Sequence, residues 1–249
     1  THRADPSPTY APNALTASAL GDCTIPRVGD TGLPVGNPLG LAGTVTTGIV
    51  SALTRPVTTS QQDSADPFWH QTKGEPVVTN AVQTSAAINP GNSGGALVNA
   101  GGQLIGINSS IASLGSSGGT SSQSGNIGIG FAIPVDQAKS IADQLIASGK
   151  AKHAYLGVSS KDDVVTVGSA KRAAAAVVTV VSGTPAANAG LQVGDAIIAV
   201  DGRLVDGSLS LVAQVRERTV GDKVTIKIVR HGQNKDISVA LTDMPTTNQ

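Results

Sequence analysis

The chain has 249 residues, and 17 lysines and arginines balance 17 aspartates and glutamates, so its formal net charge is +0. This balance excludes the general electrostatic attraction by which basic proteins bind nucleic acid, and we expect no nucleic-acid partner. Aromatic residues make up only 2% of the sequence, so the core must be built from Val, Ile, Leu and Ala. One cysteine excludes an intrachain disulfide, and together with four scattered histidines it offers no metal site, so we expect neither metal nor cofactor.

Segments typical of strands follow one another through the first half of the chain, separated by turns rich in Gly, Pro, Asn and Ser. After an irregular stretch over residues 1–30, strands are predicted at residues 44–53, 77–84, 96–98, 103–111 and 127–133. Two polar segments, residues 55–76 and 112–125, carry no core pattern and are expected to be surface loops. This spacing predicts an all-β barrel or sandwich.

The first predicted helix covers residues 134–148, with Pro134 in its first turn and Gly149 at its end. Its apolar residues fall on one helical face. They are Val135, Ala138, Ile141, Ala142, Leu145 and Ile146. The composition changes after this helix, and we place a domain boundary at residues 150–153.

The remainder of the chain mixes strands and helices. Strands are predicted at residues 174–181, 196–200, 224–229 and 237–241, and helices at residues 185–189 and 208–218. Asp201-Gly202 and His231-Gly232 are expected in tight turns, the second of them within a hairpin.

Residues 89–97 read N-P-G-N-S-G-G-A-L, which is a serine in a glycine-rich turn followed by a strand. Glycines allow the backbone to fold tightly enough for two N–H groups to point at one spot. A chymotrypsin-like protease presents its nucleophile in such a turn. Ser93 is therefore the candidate nucleophile, and the N–H groups of Gly91 and Ser93 are the candidate oxyanion hole.

Several motifs in a fixed order resemble the HtrA (high-temperature-requirement A) family of serine endopeptidases, particularly its actinobacterial members. They are R-V-G-D at residues 27–30, G-N-P-L-G at 36–40, T-V-T-T-G-I-V-S-A-L at 44–53, A-A-I-N-P-G-N-S-G-G-A-L at 86–97 and G-N-I-G-I-G-F-A-I-P at 125–134. The resemblance implies a mainly β, chymotrypsin-like (trypsin-like) protease domain over residues 27–150, essentially its second barrel with the linking helix. Residues 1–26 are then a degenerate remnant of the first barrel or of the segment between barrels.

Residues 154–243 resemble a PDZ domain, an α+β fold. The resemblance rests on Y-L-G-V at residues 155–158 and P-A-A-N-A-G-L-Q-V-G-D-A-I-I-A-V-D-G at residues 185–202. In such a domain the loop N–H groups receive the carboxylate of a peptide C-terminus, and the peptide adds as a strand beside the segment after Val158. The resemblance assigns peptide binding to Tyr155, Leu156, Gly157, Val158, Leu209 and Val212.

The family's upstream catalytic His and Asp are not identifiable in this sequence, so its first barrel is expected to be largely missing. No T-N-x-H-V-like motif is present, and D-P-S-P-T-Y-A at residues 5–11 puts Thr9 where the family has the Asp. Ser85 also stands where relatives usually have Asp, and Pro34 interrupts a strand that is apolar in relatives. His70 is either an exposed loop histidine or a surrogate base. A second barrel without the first would expose apolar surface that a partner must cover.

The resemblance also implies where a substrate would lie. The primary specificity pocket is assigned to Ala87, Ile88, Ile127 and Gly128, and the strand that pairs with the substrate to Asn108, Ser109, Ser110 and Ile111. No carboxylate lies at the base of this pocket, so we expect a small aliphatic residue before the scissile bond.

Three functions remain open. The first is an HtrA-type endopeptidase in extracytoplasmic protein quality control, with unfolded proteins or peptide C-termini as partners, a trimeric homo-oligomer as in relatives, and a membrane anchor only if one lies before Thr1. The second is a non-catalytic PDZ adaptor or chaperone on a decayed protease scaffold. The third is the product of a damaged gene without a function of its own.

Overall fold

The computed structural model of the chain describes residues 17–21, 26–37, 43–59, 77–89, 91–109 and 128–244. Several sequence predictions fall outside these residues. They concern Thr9, His70, Ser110, Ile111, Ile127, the polar loop over residues 60–76 and the loop over residues 112–125.

The first half of the described chain is a closed antiparallel barrel. Its strands are β1 (Thr31–Gly36), β2 (Thr44–Val45), β3 (Gly48–Thr59), β4 (Val77–Thr84), β5 (Ala96–Asn99), β6 (Leu104–Ser109) and β7 (Gly130–Pro134). The order β1-β3-β4-β7-β6-β5 returns to β1, because β5 also pairs with β1, and β2 is attached to β1 at the side. The core contains Val50, Val82, Leu97, Ile105 and Ala132, which confirms the expected aliphatic interior.

Two strand predictions need correction. The strand predicted over residues 44–53 is divided into β2 and β3, and β3 continues to Thr59, so its last residues belong to the sheet and not to the polar loop. Pairing with β4 satisfies their backbone groups whatever the polarity of their side chains. Pro34 does not interrupt β1 either, since it lies opposite Leu97 and its carbonyl accepts the Thr46 N–H at 3.1 Å.

Helix α1 (Val135–Ser148) leads out of the barrel. Gly149 ends it in the left-handed conformation (φ 69°), and its N–H donates to the Leu145 carbonyl at 2.8 Å. The predicted apolar face is not buried: only Val135 is buried, whereas Leu145 is 48% and Ile146 85% exposed. The main contacts of α1 with the described part of the barrel are to β6 and β7, and they do not cover Leu145 and Ile146. Among the described residues, no helix combines the length and apolarity that crossing a membrane requires.

The second unit begins at Ala154, after residues 149–153 that form neither helix nor strand. Its elements are β8 (Ala154–Tyr155), β9 (Val158–Val167), β10 (Ala170–Val180), α2 (Pro185–Asn188), β11 (Ala196–Val200), β12 (Arg203–Leu204), α3 (Ser208–Arg216), β13 (Lys223–Arg230), β14 (Gln233–Ala240) and β15 (Thr242–Asp243). The main sheet has the order β14-β13-β11-β10-β9, with β12 beside β11, and β8 pairs with β15. Strand β9 is therefore an edge strand.

The two predicted tight turns of this unit are confirmed. Asp201 and Gly202 have φ values of 49° and 79°, and His231 and Gly232 have 51° and 77°. Two consecutive positive φ angles match the right-handed twist of the paired strands.

Helix α3 packs against β3 and β4, so the second unit touches the barrel. The Asn80 side chain of β4 donates to Glu217 Oε2 at 3.1 Å, and Arg203 Nη1 donates to the same oxygen at 2.9 Å. A cavity beside this contact is lined by apolar barrel residues, among them Leu53 and Val82, and by the same Arg203 and Glu217. The second unit thus covers part of the apolar surface of the barrel.

Candidate functional site

Ser93 lies in the turn between β4 and β5, and its side chain is exposed. Gly91 and Gly94 have φ values of 101° and 82°, in the region where glycine avoids strain. The turn is bound to β6, because the Gly94 N–H donates to the Asn108 carbonyl and the Asn108 N–H donates to the Gly95 carbonyl, each at 2.8 Å. The backbone thus presents Ser93 at the rim of the barrel.

Asn92 anchors the same turn from inside. Its side chain is only 1% exposed, and its N–H donates to the Asn89 carbonyl at 3.0 Å. Strand β1 approaches so closely that a Cβ on Gly36 would overlap Asn92 and a Cβ on Gly95 would overlap the Val35 carbonyl. Gly95 is therefore required by packing against β1, whereas Gly94 is required by the positive φ of the turn.

Within the described part of the chain, the N–H groups of Gly91 and Ser93 donate no backbone hydrogen bond. No described side chain forms a hydrogen bond with the Ser93 hydroxyl either. The histidines that the structure describes are His153, just before β8, and His231, in the turn between β13 and β14. The turn has uncommitted donors for an oxyanion, but the described residues supply no base beside Ser93.

The predicted specificity pocket is only partly accessible. Ala87 is half-buried, and its carbonyl accepts a hydrogen bond from Thr46 Oγ1 at 2.7 Å. Gly128 is exposed. Ile88 is fully buried, and its Cδ1 would lie 2.7 Å from a Cβ on Gly130. The assignment of Ile88 to the pocket lining is therefore corrected, because its buried side chain offers no surface to a substrate.

The predicted substrate strand also needs correction at Asn108. Both of its backbone groups bind the Ser93 turn, and its Nδ2 donates to the carbonyls of Val35 at 3.3 Å and Ala96 at 3.1 Å. Asn108 thus holds the turn in place and has no backbone group left for a substrate. The next residue, Ser109, is half-buried and lies opposite Phe131 of β7. No carboxylate of the described chain forms a hydrogen bond with Ser85, whose hydroxyl accepts the Ile49 N–H at 3.1 Å.

A groove in the second unit lies between the edge strand β9 and helix α3. It is lined by Ala154, Tyr155, Leu156, Gly157, Val158, Ser160, Leu211, Val212, Val215, Arg216 and Met244. The four predicted loop residues and Val212 are among them, but Leu209 is not, and its side chain is 49% exposed. The sequence reasoning missed Leu211 and Val215, whose spacing of four along the helix was the available signal.

The loop at residues 155–158 is held by its carbonyl groups. The Leu156 carbonyl accepts the Ala186 N–H at 2.9 Å, and the Gly157 carbonyl accepts the Val181 N–H at 3.0 Å. Outside the strand ladders, the N–H groups of Leu156 and Gly157 donate no backbone hydrogen bond within the described residues. These donors face no competing carbonyl, which is the arrangement that receives a carboxylate.

Comparison with known proteins assigns both units. Residues 6–107 match the family model of the trypsin-like peptidase domain, and residues 143–241 match that of the PDZ domain. The serine protease PepD of Mycobacterium tuberculosis is 50% identical over 86% of this chain and 43% of its own. A solved structure of the HtrA-type protease AlgW with tripeptide is 34% identical over 93% of this chain and 71% of its own, with a TM-score of 0.57. The chain belongs to the HtrA family of serine proteases.

The periplasmic serine endoprotease DegP of Escherichia coli is a further HtrA relative, 37% identical over 92% of this chain and 44% of its own. The chain thus spans less than half the length of the curated relatives that it matches. As an HtrA protein it combines a trypsin-like barrel, which carries Ser93, with a PDZ domain, which carries the groove.

Proposed function

We propose that this chain works as an HtrA-type serine endopeptidase that cleaves unfolded or misfolded proteins outside the cytoplasm. The observation that carries the proposal is the exposed Ser93, which lies in a turn fixed to β1 and β6 beside two uncommitted N–H groups. Two relatives named DegP or DegP-like are described as periplasmic, which supports an extracytoplasmic location.

In this proposal Ser93 Oγ attacks the scissile carbonyl of the substrate and loses its proton to a base. The N–H groups of Gly91 and Ser93 stabilise the oxyanion that forms on the carbonyl oxygen. The base must come from outside the described residues. Without a base, only the oxyanion hole and substrate binding would remain, and these give about 10³–10⁴-fold acceleration over water.

Ala87, Ile127 and Gly128 would bound the specificity pocket and favour a small aliphatic side chain before the scissile bond. Ser109, Ser110 and Ile111 would pair with the substrate backbone. Assembly into a trimer, as we expect from relatives, is part of the same proposal.

The PDZ domain would capture the C-terminus of an unfolded protein in the groove between β9 and α3. The Leu156 and Gly157 N–H groups would bind its carboxylate, and the peptide would add as a strand to the edge of β9. Arg216, which lines the groove at the C-terminal end of α3, adds positive charge there.

The test is cleavage of casein by the 249-residue chain, with Ser93→Ala as the matched control. We expect fragments from the parent chain and a loss of at least about 10³-fold in rate in the variant, because the nucleophile is removed. Equal fragment yields from both proteins would contradict Ser93 as the nucleophile.

A second function remains a proposal: a non-catalytic adaptor that binds C-terminal peptides. It is favoured by the complete groove and by the lack of a described histidine beside Ser93. The same experiment separates the two, because an adaptor would leave casein intact while still binding a C-terminal peptide in a fluorescence anisotropy titration.

A further inference from the structure

Asp162 reaches across the far end of the PDZ groove. It lies on β9 two and four residues after Ser160 and Val158, which line the groove, so all three side chains share one face of the strand. The Ser208 N–H, at the start of α3, donates to Asp162 Oδ1 at 2.7 Å. The carboxylate therefore lies between β9 and α3, where the groove leads away from the carboxylate-binding loop.

The position of Asp162 defines which peptide residue would meet it. A peptide bound antiparallel to β9 with its last residue opposite Val158 has the residue four positions earlier opposite Asp162. Directly opposed residues of an antiparallel pair project to the same face and are close enough to interact. At about 3.4 Å per residue, this contact lies roughly 14 Å from the site of the terminal carboxylate.

The charges around Asp162 favour a cation at that peptide position. Asp162 is exposed, its residue opposite on β10 is the uncharged Ala175, and its Oδ2 forms no hydrogen bond within the described residues. The exposed Asp206, just before α3, adds a second negative charge. Lys161 points to the opposite face of β9 and does not neutralise the carboxylate.

We infer that Asp162 makes the groove select peptides that carry lysine or arginine four positions before their C-terminal residue. This inference rests on the proposed capture of C-terminal peptides. It adds a charge requirement to the apolar contacts that Leu211, Val212 and Val215 offer.

The test uses fluorescein-labelled decapeptides that end in the same aliphatic residues and differ only in Lys, Ala or Glu four positions before the last. Affinity is measured by fluorescence anisotropy with the Ser93→Ala chain, so that no peptide is cleaved. We expect the Lys peptide to bind roughly two- to fivefold more tightly than the Ala peptide, as for a cross-strand ion pair, and the Glu peptide to bind most weakly.

Two substitutions distinguish the effect of the Asp162 charge from an effect on the fold of the domain. Asp162→Asn keeps an oxygen that accepts the Ser208 N–H, so α3 stays capped, but it should remove the preference for Lys. Asp163→Asn is the matched control, because Asp163 is the next residue of β9, points to the other face and binds the Val164 N–H. It should leave the preference unchanged, and raised salt should weaken the preference in both the parent and the control.

Equal affinity of the three peptides for the parent chain would overturn the inference, as would a preference that survives Asp162→Asn. Neither result would contradict the proposed capture of C-terminal peptides. If no peptide binds, or if a C-terminal amide binds as well as the acid, the proposed capture fails, and the inference fails with it.

Discussion

In the loop at residues 155–158, Gly157 is the residue that tolerates substitution least. Its φ is 89°, and a Cβ there would overlap the side chain of Thr184. Thr184 cannot give way easily, because its hydroxyl donates to the Val181 carbonyl at 2.6 Å and its residue is buried. The close approach keeps the Leu156 and Gly157 N–H groups in one orientation.

We predict that Gly157→Ala destabilises the PDZ domain and weakens binding of a C-terminal peptide at least tenfold. The positive φ alone costs about 1–2 kcal/mol, and the overlap with Thr184 adds to it. Gly168→Ala is the control, since Gly168 has a φ of 62° but no neighbour within 4 Å of a Cβ. Urea unfolding and peptide anisotropy measure both effects, and similar losses in the two variants would contradict the role given to Thr184.

At the scale of elements, an ion pair between the buried Asp195 and the half-buried Arg230 ties the turn before β11 to the end of β13. Asp195 is 1% exposed and accepts from Arg230 Nε at 2.6 Å and Nη2 at 2.7 Å, and from the Gln192 N–H at 2.8 Å. Arg230 also donates to the Gly190 carbonyl at 2.8 Å. The side-chain hydrogen bond with Asp195 raises the pKa of Arg230, so the guanidinium stays charged.

Removing one partner of such a pair leaves a charge without its counter-ion. We therefore expect Asp195→Ala to lower the free energy of unfolding by about 3 kcal/mol. Asp236→Ala breaks the exposed pair with Lys227, whose atoms are 3.9 Å apart, and should cost less than about 0.5 kcal/mol. If the two variants reach the midpoint of unfolding at the same urea concentration, the pair between Asp195 and Arg230 does not stabilise the domain.

At the scale of the whole molecule, the PDZ domain lies against the barrel through Glu217. Its carboxylate accepts from Asn80, which is 3% exposed, and pairs with Arg203, which is itself a PDZ residue. Asn80 belongs to β4, the strand that leads into the Ser93 turn. The contact joins the end of helix α3, which lines the groove, to the part of the barrel that carries the candidate nucleophile.

We predict that Glu217→Ala loosens the contact between the domains. The Asn80 amide would lose its charged acceptor, at a cost of about 1–3 kcal/mol, so hydrogen exchange in β4 should accelerate. Asp143→Ala is the control, because it removes an exposed pair with Lys139 on α1, away from this contact. If Glu217→Ala changes neither the hydrogen exchange of β4 nor the radius of gyration in solution scattering, Glu217 does not hold the two domains together.

The sequence by itself determined those elements whose signals are local. Both bounds of β4 (Val77–Thr84) and of β11 (Ala196–Val200) agree with the prediction. The apolar run of β11 ends at the Asp201-Gly202 turn, whereas β4 mixes apolar and polar residues. The end of α1 at Gly149 and the His231-Gly232 turn follow from the backbone freedom of glycine. The serine turn was recognisable for the same reason.

Only the tertiary structure decided which side of an element meets a partner. Periodicity marks an apolar face, but residues distant in sequence determine what covers it. Ile146 is therefore exposed although it lies on the predicted face of α1, and Ile88 is buried although it was expected to line the specificity pocket. Likewise, Leu211 rather than Leu209 faces the groove, and Asp162 meets the start of α3 across 46 residues of chain, because β9 and α3 pack side by side.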